Sequence, residues 1–202
     1  EKIPYVVYQK KKIQYVVFFR CFELDLSGFF DQAGDCTTQK RGAHMSEIRK
    51  RAIEGPKVGD SFTVRRTFTE QDVMQFSDIS RDYNPVHLDD RFSAAKKLPD
   101  RICHGLLVAG MMTQIGGQMG WLASHFDLYF KKPVYFGDTV SCTVTLHNID
   151  EKGWFRAKAE FVNQRGDTVL NAILEGILPG QAEREVLEAM VAEGDPTNKL
   201  NQ

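Results

Sequence analysis

Toward the end of the chain, four stretches read as consecutive strands: Asp127 to Phe136, Thr139 to Ile149, Trp154 to Asn163 and Thr168 to Leu178. Gly137-Asp138, Asp150-Glu151-Lys152-Gly153 and Gly166-Asp167 separate them. Connections that short require antiparallel neighbours. Upstream, Phe62, Val64 and Phe68 recur with a period of two and predict one more strand, following the turn residues Gly55-Pro56-Lys57-Val58-Gly59-Asp60. Thr69-Glu70-Gln71-Asp72 is a capping-box start, and Val73, Phe76 and Ile79 follow at helical spacing. That helix should end by Asp82, since the residue before Pro85 disfavours αR geometry.

A second helix is predicted from about Gly105 to Trp121, apolar on nearly every face and therefore buried. It contains Gly105, Gly110, Gly116, Gly117 and Gly120. Each glycine costs about 1 kcal/mol in an exposed helix interior, and the compensating gain is close approach to a neighbouring backbone. Residues 181–194 predict a charged amphipathic helix with Val186, Leu187, Met190 and Val191 on one face. The order strand, helix, buried helix, antiparallel meander predicts an α+β fold: an antiparallel sheet wrapped around one long central helix.

Composition narrows the class. A chain of 202 residues fits one domain with an appendage. The net charge of −1 argues against a nucleic-acid partner, and the basic doublets Arg65-Arg66, Lys96-Lys97 and Lys131-Lys132 are diluted by acids. No apolar run reaches the ~18 residues of a membrane span, so a soluble globular protein is expected. Cys21, Cys36, Cys103 and Cys142 form neither a Cys-x-x-Cys pair nor a zinc-finger spacing. Free thiols in a reducing cytosol or organelle are the default, and a cytoplasmic location is expected.

Residues 1–44 read differently. Ile3 to Tyr8 and Ile13 to Phe18 are two similar apolar stretches flanking Lys10-Lys11-Lys12, and both suit strands. The segment is an extra hairpin, a targeting leader, or sequence from outside the natural gene. Glu1, Glu23, Asp25, Asp31 and Asp35 speak against a leader, which should be poor in acids. Gly42-Ala43-His44-Met45 resembles a cloning junction, which favours non-native or dispensable sequence. Domain boundaries follow: 1–44 unassigned, 45–180 the core domain, 181–202 a C-terminal helix and tail.

The densest polar cluster is Ser80-Arg81-Asp82-Tyr83-Asn84-Pro85-Val86-His87-Leu88-Asp89. On a continuous helix Asp82 and His87 would point about 140° apart. On a proline-bent turn they can converge on one water, as a base and an acid suited to proton transfer near neutral pH. The same residues also suit ordinary turn and cap chemistry. Ile102-Cys103-His104-Gly105 precedes the buried helix, and the Gly105 N–H is a candidate oxyanion donor, or Gly105 merely fits a tight helix entry. A thiol nucleophile at Cys103 is disfavoured because adjacent residues point apart. Asp89 with His87 and His104 lacks a metal-ligand spacing, so no metal is expected. Phosphate-loop, dinucleotide-fold and nucleophile-elbow motifs are absent.

Taken together, these residues resemble the MaoC-like dehydratases, among them the (R)-specific enoyl-CoA hydratases. The likeness lies in Asp82 through Asp89, Phe92, Ala94-Ala95, His104-Gly105-Leu106-Leu107 and Lys132 through Thr139, and covers roughly residues 55–178. It implies the hot-dog fold and a hydro-lyase that reversibly hydrates trans-2-enoyl thioesters of CoA or acyl carrier protein to (R)-3-hydroxyacyl thioesters. It implies Asp82 and His87 as the catalytic pair and the Gly105 N–H as donor to the thioester carbonyl. Asn84, His104 and Thr113 fall on the substrate side, Thr113 where a family member has a serine orienting the aspartate. Neither metal nor redox cofactor is implied. An acyl channel near Met111, Met112 or Trp121, carrier phosphates at Lys96, Lys97 or Arg101, and a homodimer are expected. Arg81 departs from the glycine common before the aspartate. The competing readings are a hot-dog acyl-thioesterase, although residues 105–121 hold no carboxylate, and a non-catalytic acyl-carrier-binding module.

Overall fold

Alternation between inward apolar and outward polar side chains builds the sheet. In the computed structural model, which describes residues 45–198, the strands are β1 (Ser61–Thr67), β2 (Leu122–Phe130), β3 (Thr139–Ile149), β4 (Trp154–Asn163) and β5 (Thr168–Ile177). All neighbours are antiparallel, in the order β1-β3-β4-β5-β2. Register places Phe62, Val144, Ala159, Ala172 and Leu128 side by side across all five strands. The adjacent row, one position along each strand, is outward and comprises Thr63, Thr143, Glu160, Asn171 and Tyr129. The readings of residues 1–44 lie outside the described residues.

The helices are α1 (Glu47–Glu54), α2 (Glu70–Ser80), α3 (Pro85–Leu88), α4 (Asp90–Ala95), α5 (Gly105–Ala109), α6 (Met111–Met119) and α7 (Gln181–Ala192). Met111, Met112, Ile115 and Met119 of α6 join the inward sheet residues in one core. This is the hot-dog architecture. The predicted capping box exists: Thr69 Oγ1 accepts from the Asp72 amide, and the Asp72 carboxylate accepts from the Thr69 amide. No helix of the described residues is long and apolar enough to cross a membrane.

Five expectations change. The central helix is divided at Gly110, where the Thr113 amide and hydroxyl both donate to the Gly110 carbonyl. The strand expected over 127–136 runs instead over 122–130, because Pro133 and the Asp138 carboxylate, which accepts from the Tyr135 amide, shape residues 131–138 into a loop. That loop carries β2 to the far edge, against β5, so the last four strands are not a simple meander. On α2 the inward positions are Val73 and Ser77, while Ile79 is 83% exposed. α7 buries no residue fully, although Leu187 packs against the core.

Where the helix glycines make room, it is for side chains rather than for the neighbouring backbone expected from the sequence. A Cβ on Gly116 would lie 2.3 Å from Trp121 Nε1, so the missing side chain seats the indole, which stacks on Phe155. Gly120 ends α6 in the left-handed region at φ 73°, where glycine pays no steric penalty.

Candidate active site

Asp82 and His87 are brought together by the way the chain leaves α2. Arg81 caps that helix in left-handed geometry at φ 61°. This explains why glycine suits the position, and it turns the chain sharply outward. Ser80 Oγ accepts from the Asp82 amide, and the Asp82 carboxylate accepts from the Asn84 amide. Asn84 then caps α3 by accepting from Val86 N–H, with Pro85 in the first turn. The short helix is tied inward by Ser93 Oγ, which donates to Val86 O.

That fold-back buries His87, and its Nδ1 lies 2.8 Å from Ile102 O. A carbonyl only accepts, so Nδ1 carries the hydrogen and Nε2 is left with its lone pair. Burial pushes the His87 pKa down and the neighbouring His104 pushes the same way; the bond to Ile102 O and the charge of Asp82 oppose them, and the balance lies below the ordinary histidine value.

His104, at the N-cap of α5, is 1% exposed. Its Nε2 is 3.0 Å from Asp82 O and 3.3 Å from Ser77 Oγ. Its ring lies against that of His87, with centroids 3.8 Å apart and the planes tilted by 31°. One ligand atom from each of Asp82, His87 and His104 lies within 4.8 Å of the other two. Such a set has the composition of a metal site. Each ring, however, keeps a single lone pair, since His87 Nδ1 donates to Ile102 O and His104 Nε2 donates to Asp82 O.

The three residues line a cavity of about 570 Å³. Its apolar walls include Ile102, Leu106, Val108, Phe130, Val134 and Leu170. Gly105 borders it so closely that a Cβ there would sit 2.6 Å from the edge of the Phe130 ring. As the first residue of α5, Gly105 has an amide without an acceptor in its own helix.

Of the residues singled out in the sequence, Asp82, His87, His104 and Gly105 meet at this cavity. Asn84 and Thr113 do not line it: Asn84 serves as a cap and the exposed Thr113 hydroxyl donates to Gly110 O, so neither side chain is brought to the pair. Met111, Met112 and Trp121 are spent on the core rather than on the cavity wall. Arg101 is paired with Glu70 at 2.7 Å and Asp90 at 2.8 Å, while Lys131 and Lys132 line the cavity. Cys103 is buried, and its thiol is pushed up to about 12, by burial first and by the charges of Asp138 and Asp72. It therefore offers no thiolate at neutral pH. Sequence reading missed Ser77, whose signal was a small polar residue four positions after Val73 on an inward stripe. It also missed Phe130, for which the sequence carried no signal.

Residues 55–166 match the family model described as the MaoC like domain. The (R)-specific enoyl-CoA hydratase of Rhodospirillum rubrum is 35% identical over 98 residues, covering 46% of this chain and 68% of that protein. The mitochondrial 3-hydroxyacyl-[acyl-carrier-protein] dehydratase of Arabidopsis thaliana is 32% identical over 92 residues, or 42% of this chain; the match spans about half, 52%, of that relative's length. Among solved structures, the (R)-hydratase from A. caviae involved in PHA biosynthesis is 29% identical with a TM-score of 0.58, covering 61% of this chain and 97% of its own.

Proposed function

Since this chain belongs to the MaoC-like domain family, we propose that its cavity is the active site of a hydro-lyase that reversibly hydrates trans-2-enoyl thioesters, on CoA or acyl carrier protein, to (R)-3-hydroxyacyl thioesters. One observation carries the site assignment. The Asp82 carboxylate and the imidazoles of His87 and His104 lie within 4.8 Å of one another, in the wall of an apolar cavity that begins at Gly105.

The chemistry follows from the donors and acceptors. Water must be activated to attack Cβ, and negative charge develops on the thioester oxygen as the bond forms. His87, with Nδ1–H held by Ile102 O and its pKa lowered by burial, is the base that takes the water proton at Nε2. The proton taken by His87 is relayed to Asp82, whose ligand oxygen lies within 4.8 Å, and from Asp82 to Cα, so both groups end as they began. The Gly105 N–H receives the thioester oxygen, a role typically worth ~10²–10³ in rate. The acyl chain lies among the apolar walls, and Lys131 and Lys132 stand where the carrier's phosphates pass.

The protein acts as a homodimer joined through β2, which among the described residues is an edge strand with one side unpaired and with Leu122, Phe126, Tyr129 and Phe130 exposed. The free buried thiols of Cys103 and Cys142 support a reducing compartment, with the cytoplasm as the proposed location.

The test is hydration of crotonyl-CoA, followed as loss of the conjugated-enoyl absorbance. Asp82→Asn and His87→Ala should each cost ~10²–10⁴ in kcat while circular dichroism stays unchanged. Full activity in both variants, or release of free thiol in place of a retained hydroxyacyl thioester, would sink the assignment.

A further inference from the structure

We propose that His104 is the positioning residue of this site, holding Asp82 by its main chain and His87 by its ring face. The inference rests on the hydratase reading and adds a role for a residue that the chemistry itself does not use.

Asp82 sits in an exposed loop whose other tethers are local. Its amide donates to Ser80, its carboxylate accepts from Asn84 N–H, and Tyr83 Oη donates to Asp78. Among the hydrogen bonds of the described residues, the one that fixes Asp82 to a distant part of the chain is His104 Nε2–H to Asp82 O, at 3.0 Å. Because a carbonyl offers no hydrogen, this contact sets the His104 tautomer: Nε2 bears the proton and Nδ1 is bare. Nδ1 is buried without a partner among the described residues. A buried acceptor left unsatisfied costs stability, and the residue that bears that cost does so while spending its donor on Asp82.

The same ring forms one wall for His87. The two imidazoles lie with centroids 3.8 Å apart, and the Phe76 ring also neighbours His104 at 5.0 Å. His87 is thus clamped between the His104 face and the bond from its Nδ1 to Ile102 O, two residues earlier in the same segment. His104 also precedes Gly105 directly. One short segment, residues 102–105, therefore sets the orientation of the base, the backbone of the acid and the place of the amide.

Two substitutions separate the parts of this role. His104→Phe keeps a ring against His87 and deletes the donor. His104→Gln keeps an N–H at about the position of Nε2 and deletes the ring. With crotonyl-CoA, His104→Phe should lose on the order of 10- to 100-fold in kcat, the scale of a misplaced catalytic group, with KM little changed. His104→Gln, which keeps the tether on Asp82, should lose less than His104→Phe, its remaining loss being that of a His87 ring without its neighbour. Equal losses in the two variants, a loss carried by KM alone, or wild-type kcat in His104→Phe overturns the proposal. A measurement on the unaltered protein does not depend on a variant folding. Long-range ¹⁵N–¹H correlation spectra of ¹⁵N-histidine-labelled protein should show His104 as the Nε2–H tautomer and His87 as Nδ1–H. An Nδ1–H tautomer at His104 overturns the inference even if the protein proves inactive, whereas an inactive wild type with the expected tautomers counts against the hydratase reading alone.

Discussion

His87 can exchange protons with a ligand through one nitrogen only, because its Nδ1–H is committed to Ile102 O at 2.8 Å. As a base it must be neutral. Desolvation lowers its pKa first and foremost, the adjacent His104 adds to this, and the Ile102 bond and the Asp82 charge hold part of it back. The folded value therefore lies below the ordinary 6.5. Hydration rate should fall only when pH drops through that lowered value, so the acid limb of the kcat/KM profile should have its midpoint below 6.5. A midpoint at or above 6.5 would mean that another group carries the base role. The sign for stability is the same. The unfolded chain takes up the proton at higher pH than the folded one, so stability falls as pH drops below the ordinary histidine value, until the folded pKa is passed.

At the scale of elements, the N-terminal helix and the C-terminal tail are locked together by charge. Arg49 of α1 meets Asp195 at 3.3 Å, and both side chains are at most 2% exposed. Thr197 donates to Asp195 and accepts from Arg49, and Gln118 of α6 donates to Thr197 O. Burial pushes the Asp195 pKa up, but the Thr197 bonds and the Arg49 charge more than offset it and hold the carboxyl below its usual range. Asp195→Asn keeps the shape and strands a guanidinium in the interior. It should cost about 3–5 kcal/mol of unfolding free energy in a denaturant titration, the range for breaking one partner of a buried pair. A loss under about 1 kcal/mol would mean that the tail is peripheral to the domain. This pairing also explains why α1 was not legible in the sequence. Its apolar content facing the core is only Ile48 and Ala52, and its main anchor is an arginine whose partner lies far along the chain. Charged residues read as solvated until their partners are known. The turn over Asp82–His87 was legible for the opposite reason: Asn84, Pro85 and the capping hydrogen bonds act locally, so residue types suffice.

On the scale of the molecule, strand content was readable and strand order was not. β3, β4 and β5 were found almost to the residue because tight turns join them, whereas β2 reaches β5 through pairing that no local pattern encodes. The consequence, among the described residues, is an open edge. β1 closes one side of the sheet with outward Ser61, Thr63 and Arg65, but β2 closes the other with an exposed apolar set. Unpaired N–H and C=O groups flanked by apolar side chains are a template for another strand. An antiparallel β2–β2 pairing is isologous and satisfies both copies at once. Scattering or sedimentation at micromolar concentration should therefore report a dimer, and Phe126→Glu, which places a charge on β2 away from the cavity lining, should yield a monomer. A dimer that survives this substitution would place the interface elsewhere. Phe130 belongs both to this strand and to the ring edge seated on Gly105. Separating the subunits should therefore loosen that ring, and turnover by the monomeric variant should fall along with its mass.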